Sequence, residues 1–379
     1  MTLYLDHNAA TPVLPEVQAY LAKAVKIYGN GSSVHHVGRQ ARELIESSRD
    51  QVAQFIGAHA DQILFTGSAT EANNQVLKSI AFQSILDKKP CHIIVSAIEH
   101  SSIISTCDYL AEFGVDITTI PVDETGLINM GELRASIRSD TQLISVIMAS
   151  NEVGTVQPIS DIVALGKEAN VLVHTDAVQW VGKRPLDAQG LEVDFLTMSG
   201  HKIGGIKGVG VLFAKELDDL GPFVHGGTQE RSKRAGTENA LAIGCLGKAL
   251  KVLEPRLDTL ETRFILFKKA CLEVLAEEKV TFKINGHDTL CMPHILNISF
   301  PGVRGESIMM AMDLKGIALS TGSACATGSI EPSHVLEAMF ATDSDRVHGG
   351  VRLSFGYDTQ INDIKQAAEE LARYVRHHV

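Results

Sequence analysis

The sequence predicts an α/β fold, with a large domain built on a mostly parallel, helix-covered sheet and a smaller α+β domain at the C-terminal end. Three observations carry this. From about residue 15 to 255, amphipathic helical stretches alternate with short apolar β-type runs. Those runs are apolar on consecutive positions, as strands buried on both faces are. Near Pro255 the composition shifts to a charged helical stretch followed by fresh β-type segments.

Taken in order, Val17, Leu21, Ala24 and Val25 share one helical face, and Val52, Phe55 and Ile56 share another. The strand candidates of the large domain include His92–Ala97, Leu143–Ala149, Val171–Thr175 and Phe195–Met198. Beyond Pro255, the helical stretch Leu257 to Lys279 precedes the β-type segments Ile295–Phe300, Ile317–Thr321 and Val351–Phe355. Ile361, Ile364, Ala368, Leu371 and Val375 then recur at helical spacing, so the last helix is expected to lay one face on the smaller sheet. The expected division is 15–255 for the large domain and 1–14 with 256–379 for the small one, without internal repeats or a long linker.

At 379 residues the chain is long enough to bury a sizeable site between two domains. Hydrophobic residues at 45%, charged residues at 21% and aromatics at 5% describe a soluble globular protein. A formal charge of −11 argues against a broad nucleic-acid-binding surface, which needs surplus Lys and Arg. No apolar run approaches the ~20 residues of a membrane span, and Leu3-Tyr4-Leu5-Asp6 has no signal-peptide pattern, so a cytosolic location is expected. The six cysteines, at 91, 107, 245, 271, 291 and 325, are widely spaced, and five of them read as small core hydrophobes. The His pairs at 35–36 and 377–378 have no spaced partners, and no metal site is expected.

The segment Phe65-Thr-Gly-Ser-Ala69-Thr70-Glu-Ala-Asn-Asn74 follows an apolar run and opens a helical pattern, so unpaired N–H groups and the positive helix end face outward. It is either an anion cradle or an ordinary Ser/Thr cap. Its company favours the cradle. Asp176 and Lys202 (the latter in Ser199-Gly-His201-Lys202) sit at the C-terminal ends of apolar strands, where ligands gather in open α/β sheets. A carboxylate there can keep a pyridine nitrogen protonated, and a nearby lysine can form an imine with an aldehyde. That is the chemistry pyridoxal 5'-phosphate (PLP) requires. Taken singly, Asp176 could cap a turn and Lys202 could be one solvated lysine among many.

As an ordered set, these motifs resemble the cysteine desulfurases of the NifS/IscS type, in the class V aminotransferase group of fold-type I PLP enzymes, from Leu5-Asp6 through nearly the whole chain. The resemblance implies that Lys202 is the Schiff-base lysine, that Asp176 pairs with the pyridinium nitrogen and that Gln179 reaches the phenolic oxygen. It implies phosphate contacts from Ala69, Thr70, Ser199 and His201, and a ring-stacking role for His100. Asn151 matches the asparagine beside the cofactor oxygen and substrate carboxylate, and Arg352 the arginine that grips that carboxylate. Three loops depart from the usual pattern: Gly67-Ser68 reverses the common order, Gly31 replaces a Pro or Ala, and Lys202-Ile-Gly-Gly lacks the frequent Tyr-Gly-Pro.

The reaction is specified by Cys325. It lies in Ser323-Ala-Cys325-Ala-Thr-Gly, a run of small residues suited to an exposed loop, and it resembles the family's sulfur-accepting cysteine. The implied activity converts L-cysteine to L-alanine, leaving the sulfur on Cys325 as a persulfide for a sulfur-acceptor protein such as an iron–sulfur scaffold or sulfur carrier. The resemblance also implies a homodimer in which Thr237 touches the partner's cofactor phosphate. The competing readings are a class V aminotransferase, a selenocysteine lyase and a non-enzymatic sulfur-trafficking scaffold.

Overall fold

The computed structural model describes residues 2–321, 332–341 and 345–378. Its strands in chain order are β1 (Leu3–Tyr4), β2 (Ile63–Thr66), β3 (His92–Ser96), β4 (Asp116–Ile120), β5 (Thr141–Ser145) and β6 (Leu172–Asp176). They continue with β7 (Phe195–Ser199), β8 (Gly210–Ala214), β9 (Lys283–Asn285), β10 (Ile295–Ser299), β11 (Ile317–Ala318) and β12 (Gly350–Ser354).

Among the described residues the central sheet has seven strands, in the order β2-β8-β7-β6-β5-β3-β4. Strands β3 to β7 pair in parallel, whereas β8 runs antiparallel to both β7 and β2. From β3 the chain moves outward to β4 and then returns to the other side of β3 to lay down β5. That reversal opens a crevice at the C-terminal ends of β3 and β5, the place where doubly wound sheets bind ligands. Strands β3, β5, β7 and β8 are almost wholly buried, which is why their sequences read as continuous apolar runs rather than alternating ones.

A second sheet, β12-β10-β9, is antiparallel, and β1 pairs with β11. The helix Ile361–Arg376 turns Ile364, Ala368, Leu371 and Val375 inward and packs along the helix Leu257–Glu277. One hydrophobic cluster holds Ile94 and Leu246 together with Leu296, Leu353 and Leu371, so its apolar contacts run without a break from the large sheet to the small one. Each fully buried leucine in it stabilises the fold by roughly 1.5–3 kcal/mol.

Several expected boundaries move. The fifth strand ends at Ser145, although Val146 and Met148 still donate to the His174 and Asp176 carbonyls of β6 and carry the chain alongside it; β11 ends at Ala318, although Ser320 still makes a bridge to Arg352. Pro255 falls within a 3₁₀ turn, Glu254–Arg256, linking the helices Ala240–Leu253 and Leu257–Glu277, a position where a missing N–H costs little. Of the described cysteines, Cys91, Cys107, Cys245 and Cys271 are buried as expected; Cys291 is not, and the Lys268 amine stands 3.3 Å from its sulfur. No described helix is long and apolar enough to cross a membrane.

Candidate active site

At the crevice lies a cavity of about 310 Å³. One end is the start of the helix Ala69–Leu86. Ser68 has extended backbone and caps the helix by accepting from the Glu71 N–H at 3.1 Å, while the Glu71 carboxylate reaches back to the Gly67 N–H at 2.9 Å. Ser68, Ala69 and Thr70 line the cavity, so the positive helix end faces it. Strand β8 runs directly beneath: a Cβ on Gly210 would lie 2.3 Å from the Ser68 backbone, so only glycine lets the helix start sit this low.

The other residues come from strand ends and the turns after them. Asp176, the last residue of β6, is buried and accepts on both oxygens, from the Val178 N–H at 3.0 Å and from the Asn73 amide at 2.8 Å. Ser199 ends β7, and its hydroxyl lies 2.9 Å from His201 Nδ1. Burial, helped by the charges of Lys202 and Lys207, holds the His201 imidazole down to about 4, so the ring is neutral near pH 7. The Lys202 amine donates to the carbonyl oxygens of Asn8 and Ala9. Behind it, buried Lys183 donates to the Lys202 carbonyl at 2.9 Å, its own amine pushed down to about 8 by burial and by the Lys202 charge.

His100 follows β3 and caps the helix Ser101–Ala111, accepting from the Ser102 N–H at 3.1 Å, with the Ser102 hydroxyl 2.8 Å from the same nitrogen. That acceptance favours the tautomer with its proton on Nε2. Beside it, Glu99 is buried between the Ser96 hydroxyl and the Ile147 N–H, and burial raises its carboxyl to about 8.

The opposite wall is made by the N-terminal segment and β12. Arg352 is buried; it donates to the Asn151 carbonyl at 3.0 Å and pairs with Asp6 at 2.7 Å. Asn8 donates to the same Asn151 carbonyl at 2.9 Å, and the Gln179 amide reaches the Asn8 carbonyl at 3.4 Å. Two buried polar atoms on this wall, Asn8 Oδ1 and Arg352 Nε, have no hydrogen-bond partner among the described residues.

The cavity therefore gathers Ala69, Thr70, His100, Asn151, Asp176, Gln179, Ser199, His201, Lys202 and Arg352. Thr237 is not among them: it lines a separate cavity with Gly67, Glu230 and Arg234, behind the same helix start. Cys325 lies outside the described residues; just past that stretch, the Ser333 hydroxyl donates to buried Glu152 and the His334 ring lies 3.0 Å from the Glu99 carbonyl. The motifs did not point to Asp6, Asn8, Asn73 or Ser102. Asp6 and Asn8 sit in the recognised N-terminal stretch, but nothing local in the sequence marks any of the four as site residues.

The donor set fits PLP. A helix N-terminus, hydroxyls and a neutral imidazole suit a phosphate, a carboxylate at a strand end suits a ring nitrogen, and a lysine amine in the same cavity suits an aldehyde.

Comparison with known proteins gives a consistent picture. Residues 3–367 match the aminotransferase class-V family. The chain is 39% identical over 374 residues to the cysteine desulfurase IscS of Dictyoglomus turgidum, covering 98% of this chain and 94% of that one. Among solved structures, a NifS-like protein superposes with a TM-score of 0.92 at 31% identity, with all of both chains covered. A structure described as SspA in complex with cysteine superposes with a TM-score of 0.82 at 31% identity, covering 93% of this chain and 99% of that one.

Proposed function

This chain belongs to the aminotransferase class-V family, and from that premise we infer that it is a PLP-dependent cysteine desulfurase, converting L-cysteine to L-alanine and passing the sulfur to an acceptor. The observation that carries the reading is one cavity combining a lysine amine, a strand-end carboxylate, an anion-binding helix start and a buried arginine.

When bound, PLP supplies an aldehyde for the substrate amine and a ring that draws electrons from the substrate Cα. The rest is the work of the chain. Ala69, Thr70, Ser199 and His201 hold the phosphate, Asp176 faces the ring nitrogen and Gln179 the phenolic oxygen. His100 stacks on the ring. Arg352, steadied by Asp6 and the Asn151 carbonyl, takes the substrate carboxylate together with the Asn151 side chain. Lys202 moves the proton at Cα, and the carbonyls of Asn8 and Ala9 keep its amine aimed into the cavity. Cys325, as thiolate, takes the substrate sulfur and carries it as a persulfide.

The large domain is assigned to 15–255 and the small one to 1–14 with 256–379. The protein works in the cytosol as a homodimer, with Thr237 beside the partner's phosphate site, and delivers sulfur to an iron–sulfur scaffold or a sulfur carrier.

The test is product analysis on PLP-loaded protein given L-cysteine. Wild type should release alanine and, with reductant, sulfide. Cys325→Ala should stay yellow while product falls about 10²-fold or more. Protein that gains no visible absorbance with PLP would overturn the reading. Pyruvate formed from alanine and a keto acid, with Cys325→Ala fully active, would favour the aminotransferase instead.

A further inference from the structure

We propose that Asn73 is a positioning residue for the cofactor: its side-chain amide fixes the Asp176 carboxylate against the ring nitrogen and, through Ser102, sets the His100 ring above it. This rests on the reading of the cavity as a PLP site.

Asn73 is fully buried in the helix Ala69–Leu86, one turn after Ala69. Residues four apart share a helix face and lie about 6 Å apart along the axis. The helix whose first N–H groups face the phosphate end of the cavity therefore also carries the side chain that reaches Asp176. A single rigid element sets the distance between the two ends.

Both ends of the amide are engaged. Its nitrogen donates to Asp176 Oδ2 at 2.8 Å and to Ser102 Oγ at 2.9 Å, while its oxygen accepts from Thr197 Oγ1 at 2.6 Å. Rotating it by half a turn would point a carbonyl oxygen at a carboxylate, so the orientation is determined by charge as well as by hydrogen bonding. The partners come from β6, β7 and the helix Ser101–Ala111, each of which ends at the cavity. Ser102 in turn lies 2.8 Å from His100 Nδ1.

A buried amide is expensive to desolvate, and an apolar residue would suit the interior of this helix at lower cost. What the amide adds is direction. With Val178 N–H on one oxygen and Asn73 on the other, Asp176 is held as an acceptor in one rotamer, and each oxygen keeps a lone pair for a ring N–H.

The experiment compares PLP with its 1-deaza analogue, in which carbon replaces the ring nitrogen and Asp176 has nothing to hold. Protein stripped of cofactor is titrated with each, reading dissociation constant and visible absorption. Asn73→Ala should weaken PLP binding about 10-fold and the deaza analogue by less than about 3-fold. Asp176→Asn should show the same asymmetry more strongly. Should Asn73→Ala fail to fold, Thr197→Val decides: it keeps the shape, frees the amide and should give the same asymmetry at about 3-fold. Equal losses for both ligands, or none, would overturn the proposal. Wild type that binds neither ligand would instead overturn the assignment of the cavity to PLP.

Discussion

The two sides of the cavity are finished differently. Around Asp176 on the sheet side, Asn73, Asp176, Ser102 and Thr197 form a closed set in which every amide and carboxylate atom has a partner, although Glu99 Oε2 farther along that side has none among the described residues. On the wall made by the N-terminal segment and β12, Asn8 Oδ1 and Arg352 Nε are buried without partners among the described residues, and Arg352 pairs with the Asp6 carboxylate. A saturated network resists rearrangement, because each group displaced would be left unpaired in a dry interior. A wall with a spare donor and a spare acceptor is costly to keep and suits a site that takes and releases a charged ligand. On the proposed function, the sheet side would hold the resident group and the wall would handle the substrate.

The largest effect that would break this contrast is at the wall's cation. Arg352→Ala should lower kcat/KM for L-cysteine about 10–100-fold, mostly through KM, with PLP affinity unchanged, measured by steady-state kinetics and cofactor titration. A loss of PLP binding of similar size would mean the two sides are not separate. Asp6→Asn sharpens the point. It keeps the shape but removes the charge that pairs with Arg352 at 2.7 Å, and KM should change by about 3–10-fold with kcat nearly constant. If kcat falls as steeply as kcat/KM, Asp6 serves the chemistry rather than the substrate's carboxylate.

The smallest effect lies on the sheet side and concerns stability. Glu99, raised to about 8 chiefly by burial, keeps its proton in the folded chain at pH values where the unfolded chain has lost it. Its stabilising contribution is therefore complete below the unfolded value near 4.5 and disappears as pH rises through about 8. His174 and His201, both depressed to about 4, act in the opposite sense as pH falls from 6.5, and Lys183, depressed to about 8, opposes Glu99 as pH approaches 8, so the difference between wild type and Glu99→Gln from pH 6.5 to 8 isolates Glu99. Wild type should lose up to about 1.4 kcal/mol of unfolding free energy per pH unit there, and Glu99→Gln should flatten the slope, as read by denaturant titration at several pH values. An unchanged slope in Glu99→Gln would show that the carboxyl is ionised at neutral pH.

Much of this site was legible because strand ends and helix starts leave local marks. Asp176, Ser199 and Lys202 follow buried apolar runs, and Ser68 with Glu71 announces a helix. Arg352 carries no such mark, since an arginine in an apolar strand reads as a surface residue until its burial is seen; only the family resemblance pointed to it. The strand limits shifted where regular pairing stops while the chain stays buried, as at Val146–Ala149, which keep two hydrogen bonds to β6 without extending the strand, because apolar pattern reports burial and not regular pairing.

What the sequence determined by itself was the α/β alternation and the chemical groups at the strand ends, because period and punctuation are properties of neighbouring residues. What only the tertiary structure decided was which distant groups hold each other. Asn73 meets Asp176 across 103 positions and Asp6 meets Arg352 across 346. Such pairs are selected by the register of the sheet and the seating of one helix, and no local pattern encodes a contact whose two halves are brought together only when the whole core closes.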